Sequence, residues 1–450
     1  MTSSAQNIPD PIILAHVADT HVDAEEFPQA LSARGGNQRG EDMTVAFANV
    51  VKDIRSQSDI PLLLHAGDVA DTPHPDIKYL ISLSKIIASG SGPLSVGSPY
   101  TRQSVYISGN HDVPRNPLEP CYLALYSDIP GVHIVVSGYQ VISFEEGVAN
   151  GTVHPSLAKV AVHCLPHDDL KTQDWDEIQP WDGYINIFMS HGVAEGSALF
   201  VRSKGREYHI PNDVLDRDWD YVALGHYHKQ GPVFLSTNTK GTNSRIWYSG
   251  STERCGFSDF TDEADGKGYL RTIVSKDAMP QVERIDLPIR PMYYLPSIDA
   301  SDMTADQVSE VLLKNVQDSV AAGKLKDAVV RQKIFNADRT TYSLVNVTAP
   351  RNAASSALDY SIKPSFRDVN AEEFISPEDK TGPAVNPAQD KQAELQGLAK
   401  KLLEEHLVDP SVSRALSYLD IEIEQEAPEP EAVTEDTNTT DNEKTQEATD

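Results

Sequence analysis

Five short apolar runs recur within the first 230 residues, and each of them ends in polar residues. Each run has the length of a β-strand and is rich in Ile, Val, Leu or Tyr. Near-continuous apolar runs are typical of strands that are buried on both faces in layered α/β proteins. The runs are IILAHVAD (12–19), PLLLHAGD (61–68), SVYISGNHD (104–112), INIFMSHG (185–192) and DYVALGHYH (220–228).

Two amphipathic segments separate the first three runs. EDMTVAFANVVKDIRSQ (41–57) carries an apolar stripe at helical spacing, and its acidic start suits a helix N-terminus. PDIKYLISLSKIIAS (75–89) is a second amphipathic helix. The order β-α-β-α-β predicts an α/β fold with a parallel sheet and right-handed crossovers.

The pattern changes near residue 290, which predicts a smaller second domain. TADQVSEVLLKNVQDSVAAG (304–323) predicts a helix, whereas VVRQKIFN (329–336) and YSLVNVTA (342–349) predict strands. We therefore expect a first domain over 1–290 and an α+β domain over 291–368.

Beyond residue 368 the composition predicts three further segments. Residues 369–392 are rich in Pro and charged residues, as linkers are. Residues 393–418 begin with the amphipathic helix AELQGLAKKLLEEHL (393–407). Residues 419–450 have low hydrophobicity and high charge, which predicts a disordered acidic tail.

The net charge of −29 at first argues against a nucleic-acid partner. Part of that charge lies in the tail, since residues 420–450 hold twelve Asp/Glu and one Lys. The rest of the chain is still acidic. Any phosphate-bearing substrate would therefore need positive charge from bound metal ions or a basic patch.

The cysteines and the N-terminus bear on location. Three widely spaced cysteines, Cys121, Cys164 and Cys255, indicate a reducing compartment rather than a disulfide framework or a zinc ribbon. The chain begins without a signal-peptide pattern, and no stretch approaches the ~20 apolar residues of a membrane span. We expect a cytoplasmic protein with no membrane partner.

The polar ends of the five runs predict one shared site, because ligands of open α/β sheets bind outside the carboxyl ends of strands. Carboxylates, an amide oxygen and imidazoles together suit divalent ions such as Mn²⁺, Fe²⁺ or Zn²⁺. Alternate residues of an extended Asp-x-His or His-x-His would point to the same face. The strand-end groups are Asp19, His21, Asp68, Asn110, His111, Asp112, His191, His226 and His228.

So many ligands are too many for one ion, and two ions sharing a bridging carboxylate would use them all. Taken singly, each motif has a plainer interpretation: DTH could be a surface turn, and GHYH a loop with two solvent-exposed histidines. Histidines before the strand ends are expected to be structural, as are two of the cysteine thiols. These residues are His16, His65, His163, His167, Cys121 and Cys164.

The ordered set D-x-H, G-D-x-x-D, G-N-H-D, S-H-G and G-H-x-H resembles the calcineurin-like metallophosphoesterase superfamily. More narrowly, GDVADTPHP, WYSGSTERCGFSD with KGY, and IDLPIRPM resemble the SbcD-type DNA repair nucleases, the meiotic recombination eleven family. The resemblance covers roughly residues 10–295 well and 296–368 loosely. It implies a layered metallophosphoesterase sandwich with a smaller α+β capping domain that binds DNA.

The resemblance implies a role for each strand-end residue. One metal would be held by Asp19, His21, Asp68 and His228, and the other by Asp68, Asn110, His191 and His226. Both ions are expected to be manganese. His111 would be the catalytic residue facing the scissile phosphate, and Asp112 would support it from behind. Asp71 stands where related proteins have His or Asp, so it matters for geometry without being assigned to catalysis.

The expected activity is a two-metal DNA nuclease in repair or recombination. The resemblance implies a homodimer and a coiled-coil ATPase partner of the SbcC type. The helix at the start of residues 393–418 suits docking to that partner, and the alternative is an ordinary helix packed on its own domain. Basic residues near the strand ends are candidate DNA contacts, or else solvated surface charges: Arg34, Arg39, Lys204, Arg206 and Arg254. Two alternatives are a phosphodiesterase for small or cyclic nucleotides, and a non-catalytic scaffold protein with broken ligand motifs.

Overall fold

The structure is a computed structural model, and it describes residues 9–27, 30–32, 35–116, 118–195, 208–235, 244–257, 259 and 265–367. The predicted β-α-β-α-β start is confirmed. Its elements are β1 (Ile12–Val17), α1 (Gln38–Ser56), β2 (Leu62–Ala66), α2 (Ile77–Gly90) and β3 (Gln103–Ile107), followed by β4 (Val132–Val135). Helix α1 begins earlier than predicted, because the Asn37 side chain caps it by accepting a hydrogen bond from the Arg39 amide.

Six of the remaining described elements up to residue 287 build a second sheet. In chain order the remaining elements are β5 (Gln140–Ser143), α3 (Glu145–Ala149), β6 (Val160–Leu165), β7 (Ile185–His191), β8 (Val193–Ala194), β9 (His209–Ile210), α4 (Asn212–Leu215), β10 (Tyr221–Gly225), β11 (Gly231–Val233), β12 (Ile246–Tyr248), β13 (Lys267–Val274) and β14 (Gln281–Leu287).

Two sheets form the centre of this α/β sandwich. Among the described residues, the first sheet has the order β14-β13-β1-β2-β3-β4 and the second β11-β12-β10-β7-β6-β5. Strands β1 to β4 are parallel neighbours, and so are β6, β7 and β10. The five apolar runs therefore lie in two sheets, three in the first and two in the second.

Burial on both faces explains why these runs are almost wholly apolar. Leu14, Leu64 and Met189 belong to the core between the two sheets. On the other face of the first sheet, Phe47 of α1 and Leu83 of α2 join a separate core. Each strand thus contributes side chains to two apolar layers, and the polar residues of the candidate site are confined to the strand ends.

Residues 291–367 form a further sheet with helices, here called the C-terminal sheet region. Its elements are β15 (Met292–Tyr294), β16 (Ile298–Asp299), α5 (Ala305–Ala321), β17 (Val329–Ala337), α6 (Arg339–Ser343), α7 (Thr348–Ala353) and β18 (Asp359–Phe366). Strand β17 pairs with the other three. Helix α5 starts at a capping box formed by Thr304 and Gln307, and its buried face packs on this sheet.

The predicted strand over 342–349 is wrong. The segment contains the end of α6 and the start of α7. The Asp338 side chain accepts a hydrogen bond from the Thr341 amide, and Asn346 Oδ1 accepts from the Thr348 amide. These local caps outweigh the strand preference of the Val and Thr residues.

The predicted linker, docking segment and acidic tail lie outside the described residues and stay predictions. Within the described part of the chain, no helix is both long enough and apolar enough to cross a bilayer.

Candidate metal centre

The polar ends of β1, β2, β3, β7 and β10 meet at one edge of the sandwich. The clearest link between the two sheets is Asn110, which follows β3. Its Oδ1 lies 3.1 Å from His191 Nε2 and 3.1 Å from His226 Nδ1, both of the second sheet. Strand ends that are far apart in sequence therefore present their side chains to a common volume.

The first donor group consists of Asp19, His21, Asp68 and His228. The Nε2 atoms of His21 and His228 are 3.0 Å apart. Asp68 Oδ2 lies 3.8 Å and Asp19 Oδ1 lies 4.0 Å from His21 Nε2. His21 Nε2 thus lies within 4.0 Å of the other imidazole nitrogen and of both carboxylates.

The second donor group consists of Asp68, Asn110, His191 and His226. His191 Nε2 lies 3.1 Å from Asp68 Oδ2 and 3.1 Å from Asn110 Oδ1. The two donor groups therefore share one atom, Asp68 Oδ2. That arrangement has the form of a bridging carboxylate between two neighbouring cation positions.

Three histidines have the same tautomer, because in each of them Nδ1 faces a hydrogen-bond acceptor. Nδ1 of His21 faces Asp71 Oδ1 at 2.9 Å, Nδ1 of His228 faces Asp259 Oδ2 at 2.8 Å, and Nδ1 of His191 faces the Ala66 carbonyl at 2.8 Å. Since these oxygens only accept, each Nδ1 carries the proton. The Nε2 lone pairs then converge on one another and on oxygen atoms.

Converging lone pairs repel one another unless a cation lies between them, so the donor arrangement fits divalent metal ions. Without a metal ion, the Asp68 carboxylate favours a proton on His191 instead, and metal binding must release that proton. Burial lowers the pKa of His191, but the charge of Asp68 outweighs it and raises the pKa to about 9. Burial and then the charge of His191 lower the pKa of His226 to about 3, which leaves that ring neutral, as a metal ligand must be.

The backbone around the site corrects one expectation drawn from the motifs. Asp19, His21 and Asp68 have positive φ angles of 52°, 42° and 52°, and His226 has 99°. The Asp-x-His and His-x-His segments are therefore not extended as expected. The side chains converge through left-handed turns, and the strain is offset by bonds such as Thr20 N to the Asp68 carbonyl at 2.9 Å.

Glycine is required next to two of these turns. A Cβ at Gly67, which has a φ of 91°, would lie 2.5 Å from His191 Nδ1. A Cβ at Gly109 would overlap the Asp68 carboxylate. Both glycines therefore let the backbone come close to the donor groups.

Asp112 lies behind the site and is fully buried. Its carboxylate accepts hydrogen bonds from the amides of Val69, Ala70 and Gly109 at 2.8–3.2 Å, and from the Tyr122 hydroxyl at 2.5 Å. It therefore ties the turn after β2 to the turn after β3.

His111 lies beside the donor groups and its side chain is 40% exposed. Its amide donates to Asp68 Oδ1 at 2.8 Å, and its ring Nδ1 donates to the Asp71 carbonyl at 2.8 Å. Burial lowers the pKa of His111, but the charges of Asp68 and Asp71 outweigh it, so the pKa is raised. The ring is held by one nitrogen and keeps Nε2 for a ligand.

Of the residues that surround the site, Asp71 belongs to the G-D-x-x-D motif, whereas the role of Asp259 could not be recognised from the sequence. Asp71 orients His21, and Asp259 orients His228 and also accepts from the Cys255 amide at 2.9 Å. His167 donates from Nδ1 to the His191 carbonyl at 2.9 Å. Asp259 lies in a segment without periodicity, so only its contact across the fold reveals its role.

The candidate DNA-binding residues divide into two sets. Arg34, Lys204 and Arg206 lie outside the described residues. Arg39 and Arg254 are buried, with 0% and 4% exposure, in a polar network with Asp42, Glu253 and the Asp265 carbonyl. Arg39 lies in the first turn of α1 rather than in a loop, and such buried guanidiniums stabilise the fold instead of facing a ligand.

Comparison with known proteins agrees with this geometry. Residues 12–230 match the family model described as "Calcineurin-like phosphoesterase". The chain contains a calcineurin-like metallophosphoesterase domain. The matched range holds every residue of both donor groups and His111, whereas the C-terminal sheet region lies beyond it.

A similar protein is the SbcD component of the nuclease SbcCD from Bacillus subtilis (strain 168). It is 25% identical over 299 residues, which cover 60% of this chain and 67% of that protein. Together with the family match, this supports a metal-dependent phosphoesterase, with nuclease activity in a distant relative.

Proposed function

We propose that the chain is a two-metal DNA nuclease of the SbcD type. The observation that carries the proposal is the pair of donor groups that share Asp68 Oδ2, with His111 beside them. Every residue of the predicted ligand set lies in one of these groups. Intact ligands argue against the non-catalytic scaffold, for which broken motifs were expected.

The proposed roles follow from the donor atoms. The first donor group would hold one ion and the second the other, with Asp68 as the bridge; we take both ions to be Mn²⁺. Bound ions supply positive charge to a phosphate and lower the pKa of an attacking water. The chain's own residues position the ions through the ligand rings, which are held by hydrogen bonds to Asp71, Asp259 and the Ala66 carbonyl.

His111 is proposed to act on the substrate rather than on the ions. Its Nδ1 proton is committed to the Asp71 carbonyl, so Nε2 is the atom that remains for a substrate oxygen. A protonated ring could stabilise the charge on the phosphate or protonate the leaving oxygen. The partial exposure of the ring leaves room for a substrate.

A basic and aromatic surface supports DNA rather than a small ester as substrate. On one face of the C-terminal sheet, β17 presents Arg331, Lys333 and the 42% exposed Phe335, with Lys363 of β18 opposite Lys333. Lys333 Nζ lies 4.2 Å from the centroid of the Tyr294 ring. We call these five residues the open face. Cations interleaved with aromatic rings suit a phosphate backbone with bases.

The surroundings of the open face differ in charge from the rest of the chain. Residues 291–367 carry nine Lys/Arg and eight Asp/Glu, in a protein whose net charge is −29. The opposite face of the same sheet is covered by α5, through Val308 and Leu312. The nearly neutral region thus presents the cations of the open face on the side that α5 leaves uncovered.

We also propose a homodimer, and a coiled-coil ATPase partner of the SbcC type in DNA repair or recombination. The Bacillus relative is, by its name, one component of SbcCD. For the homodimer, α2 exposes Ile77 and Ile81, which are 75% and 51% exposed. Co-purification of the ATPase partner with the chain, with and without residues 393–450, tests the docking segment. Unchanged binding without these residues would contradict the proposed docking role.

The function itself is tested with purified protein, Mn²⁺ or Mg²⁺, and three substrates: linear DNA, circular DNA and bis-nitrophenyl phosphate. We expect hydrolysis of DNA, supported by Mn²⁺ better than by Mg²⁺. Activity on the small ester without activity on DNA would favour the phosphodiesterase for small or cyclic nucleotides. Inactivity on all three substrates with both ions would favour the scaffold.

A further inference from the structure

Cys255 lies beside the first donor group, and the proposed function assigns it no role. Its Sγ, one ring nitrogen of His21 and one ring nitrogen of His228 all lie within 4.8 Å of one another. The other two cysteines are buried in apolar cores, Cys121 in the helix-covered core and Cys164 between the two sheets. Cys255 is therefore the cysteine that a bound ion could reach.

The position of Cys255 is fixed by the same carboxylate that fixes a ligand ring. Asp259 Oδ2 accepts from the Cys255 amide at 2.9 Å and from His228 Nδ1 at 2.8 Å. The imidazole of His228 and the backbone of Cys255 are thus held to a single point. Cys255 is therefore held in place beside a ligand ring and is not an isolated surface cysteine.

The donor set differs in chemistry from one made of oxygens and imidazoles alone. Two imidazole nitrogens and one sulfur make three donors, and His21 also belongs to a group with Asp19 and Asp68. Ligands of a tetrahedral zinc ion lie ~3.4 Å from one another. The observed separation of 3.0 Å between the Nε2 atoms of His21 and His228 is close to that value.

We propose that Cys255 provides a thiolate ligand for Zn²⁺ at the first donor group, so that Zn²⁺ replaces the ion that supports hydrolysis and inhibits the protein. Nitrogen and sulfur ligands bind Zn²⁺ more tightly than Mn²⁺, and thiolate increases the difference. The thiol releases its proton when the metal binds. The inhibitory consequence rests on the proposed function, whereas the binding itself does not.

Cd²⁺ titration of metal-free protein tests the ligand directly, because Cd²⁺ bound to thiolate absorbs in the ultraviolet through sulfur-to-metal charge transfer. We expect the wild-type protein to develop this band with one Cd²⁺ and Cys255→Ser to lack it. Cys164→Ala is the matched control and should keep the band. Circular dichroism verifies that each variant is folded. A wild-type protein without the band overturns the proposal, whatever the variants do.

Zinc inhibition of Mn²⁺-supported hydrolysis gives the second readout. Cys255→Ser should require a Zn²⁺ concentration roughly tenfold higher or more for half inhibition. An unchanged charge-transfer band in Cys255→Ser contradicts the proposal while leaving the hydrolase intact. Conversely, a chain that binds Cd²⁺ through Cys255 but hydrolyses no phosphodiester contradicts the proposed function alone.

Discussion

Asn110, His111 and Asp112 are consecutive residues with three different environments. The Asn110 side chain faces two imidazoles of the second sheet, His111 is partly exposed, and Asp112 is buried among backbone amides. The tight turn after β3, with its close approach at Gly109, separates the three side chains. A four-residue motif thus supplies a proposed ligand, a proposed catalytic residue and a structural support.

At the residue scale, His111→Ala separates catalysis from metal binding. No donor atom of either group belongs to His111, so we expect the variant to retain its metal and to lose about 10²–10³-fold in hydrolysis rate. Elemental analysis and a DNA-cleavage assay on the same sample measure both. Asp68→Ala is the contrasting variant and should lose metal and activity together. Full activity in His111→Ala would exclude the proposed role.

His163 makes a pH-dependent contribution to stability away from the metal centre. It is fully buried between the Tyr139 hydroxyl at 2.6 Å and Asn186 Oδ1 at 3.1 Å, and burial lowers its pKa to about 4 from 6.5. Below pH 6.5 His163 is protonated in the unfolded chain, whereas in the folded chain it becomes protonated only near pH 4. Its contribution to stability is therefore complete above pH 6.5 and is lost as the pH falls.

The expected loss from His163 alone is about 2 kcal/mol between pH 7.5 and pH 5. His163→Asn lacks this titration, so its free energy of unfolding should fall by about that much less over the same interval. Urea unfolding of both proteins at the two pH values measures the difference. Equal losses of unfolding free energy in the two proteins would show that the pKa of His163 is not lowered by folding.

At the element scale, the sequence predicted the strands that carry the site and missed what surrounds them. The runs of β1, β2, β3, β7 and β10 are recognisable because burial on both faces demands apolar residues throughout. Cys255 and Asp259 lie in an aperiodic segment, and only the folded chain brings them to His228. The strand predicted over 342–349 failed because side-chain caps override β-propensity.

The C-terminal sheet region is held to α1 by Arg290. Its guanidinium donates two hydrogen bonds to the Asp42 carboxylate, one of 2.5 Å from Nη2, and its amide donates to Glu253 Oε2 at 2.8 Å. Asp42 also accepts from Arg39 at 2.7 Å. The contact joins three stretches of chain through one carboxylate that is largely shielded from water.

We expect Arg290→Ala to lower the free energy of unfolding by about 2 kcal/mol, because a bidentate pair with little exposure is lost. Urea unfolding measures the change. The matched control is Lys314→Ala, which removes an exposed i,i+4 pair with Asp318 and should leave the midpoint nearly unchanged. Equal effects of the two substitutions would contradict a structural role for the Arg290 contact.

At the scale of the whole molecule, an acidic chain must attract an acidic substrate. The proposed solution combines cations at the strand ends with positive charge on the open face. Phosphate contacts make binding weaker at high salt, and each contact adds ~0.7–0.9 to the slope of log K against log salt. The open face can therefore be tested through salt dependence.

Replacing Lys333 and Lys363 together with Gln should weaken DNA binding and reduce the salt slope by roughly one to two. Hydrolysis of bis-nitrophenyl phosphate should be unchanged, because neither lysine touches the donor groups. Lys314→Gln is the control, since this exposed lysine lies on α5, which covers the opposite face of the sheet. An unchanged slope in the double variant would exclude the open face as a DNA contact.

The central claim is that two donor groups sharing Asp68 form a two-metal centre for phosphodiester hydrolysis. Its most direct test is a titration of metal-free protein with Mn²⁺, in which bound metal and DNA hydrolysis are measured on the same samples. We predict two ions per chain, with hydrolysis appearing as the second binds, and loss of both in Asp68→Ala. A single bound ion that suffices for full activity, or hydrolysis without any metal, would contradict the account.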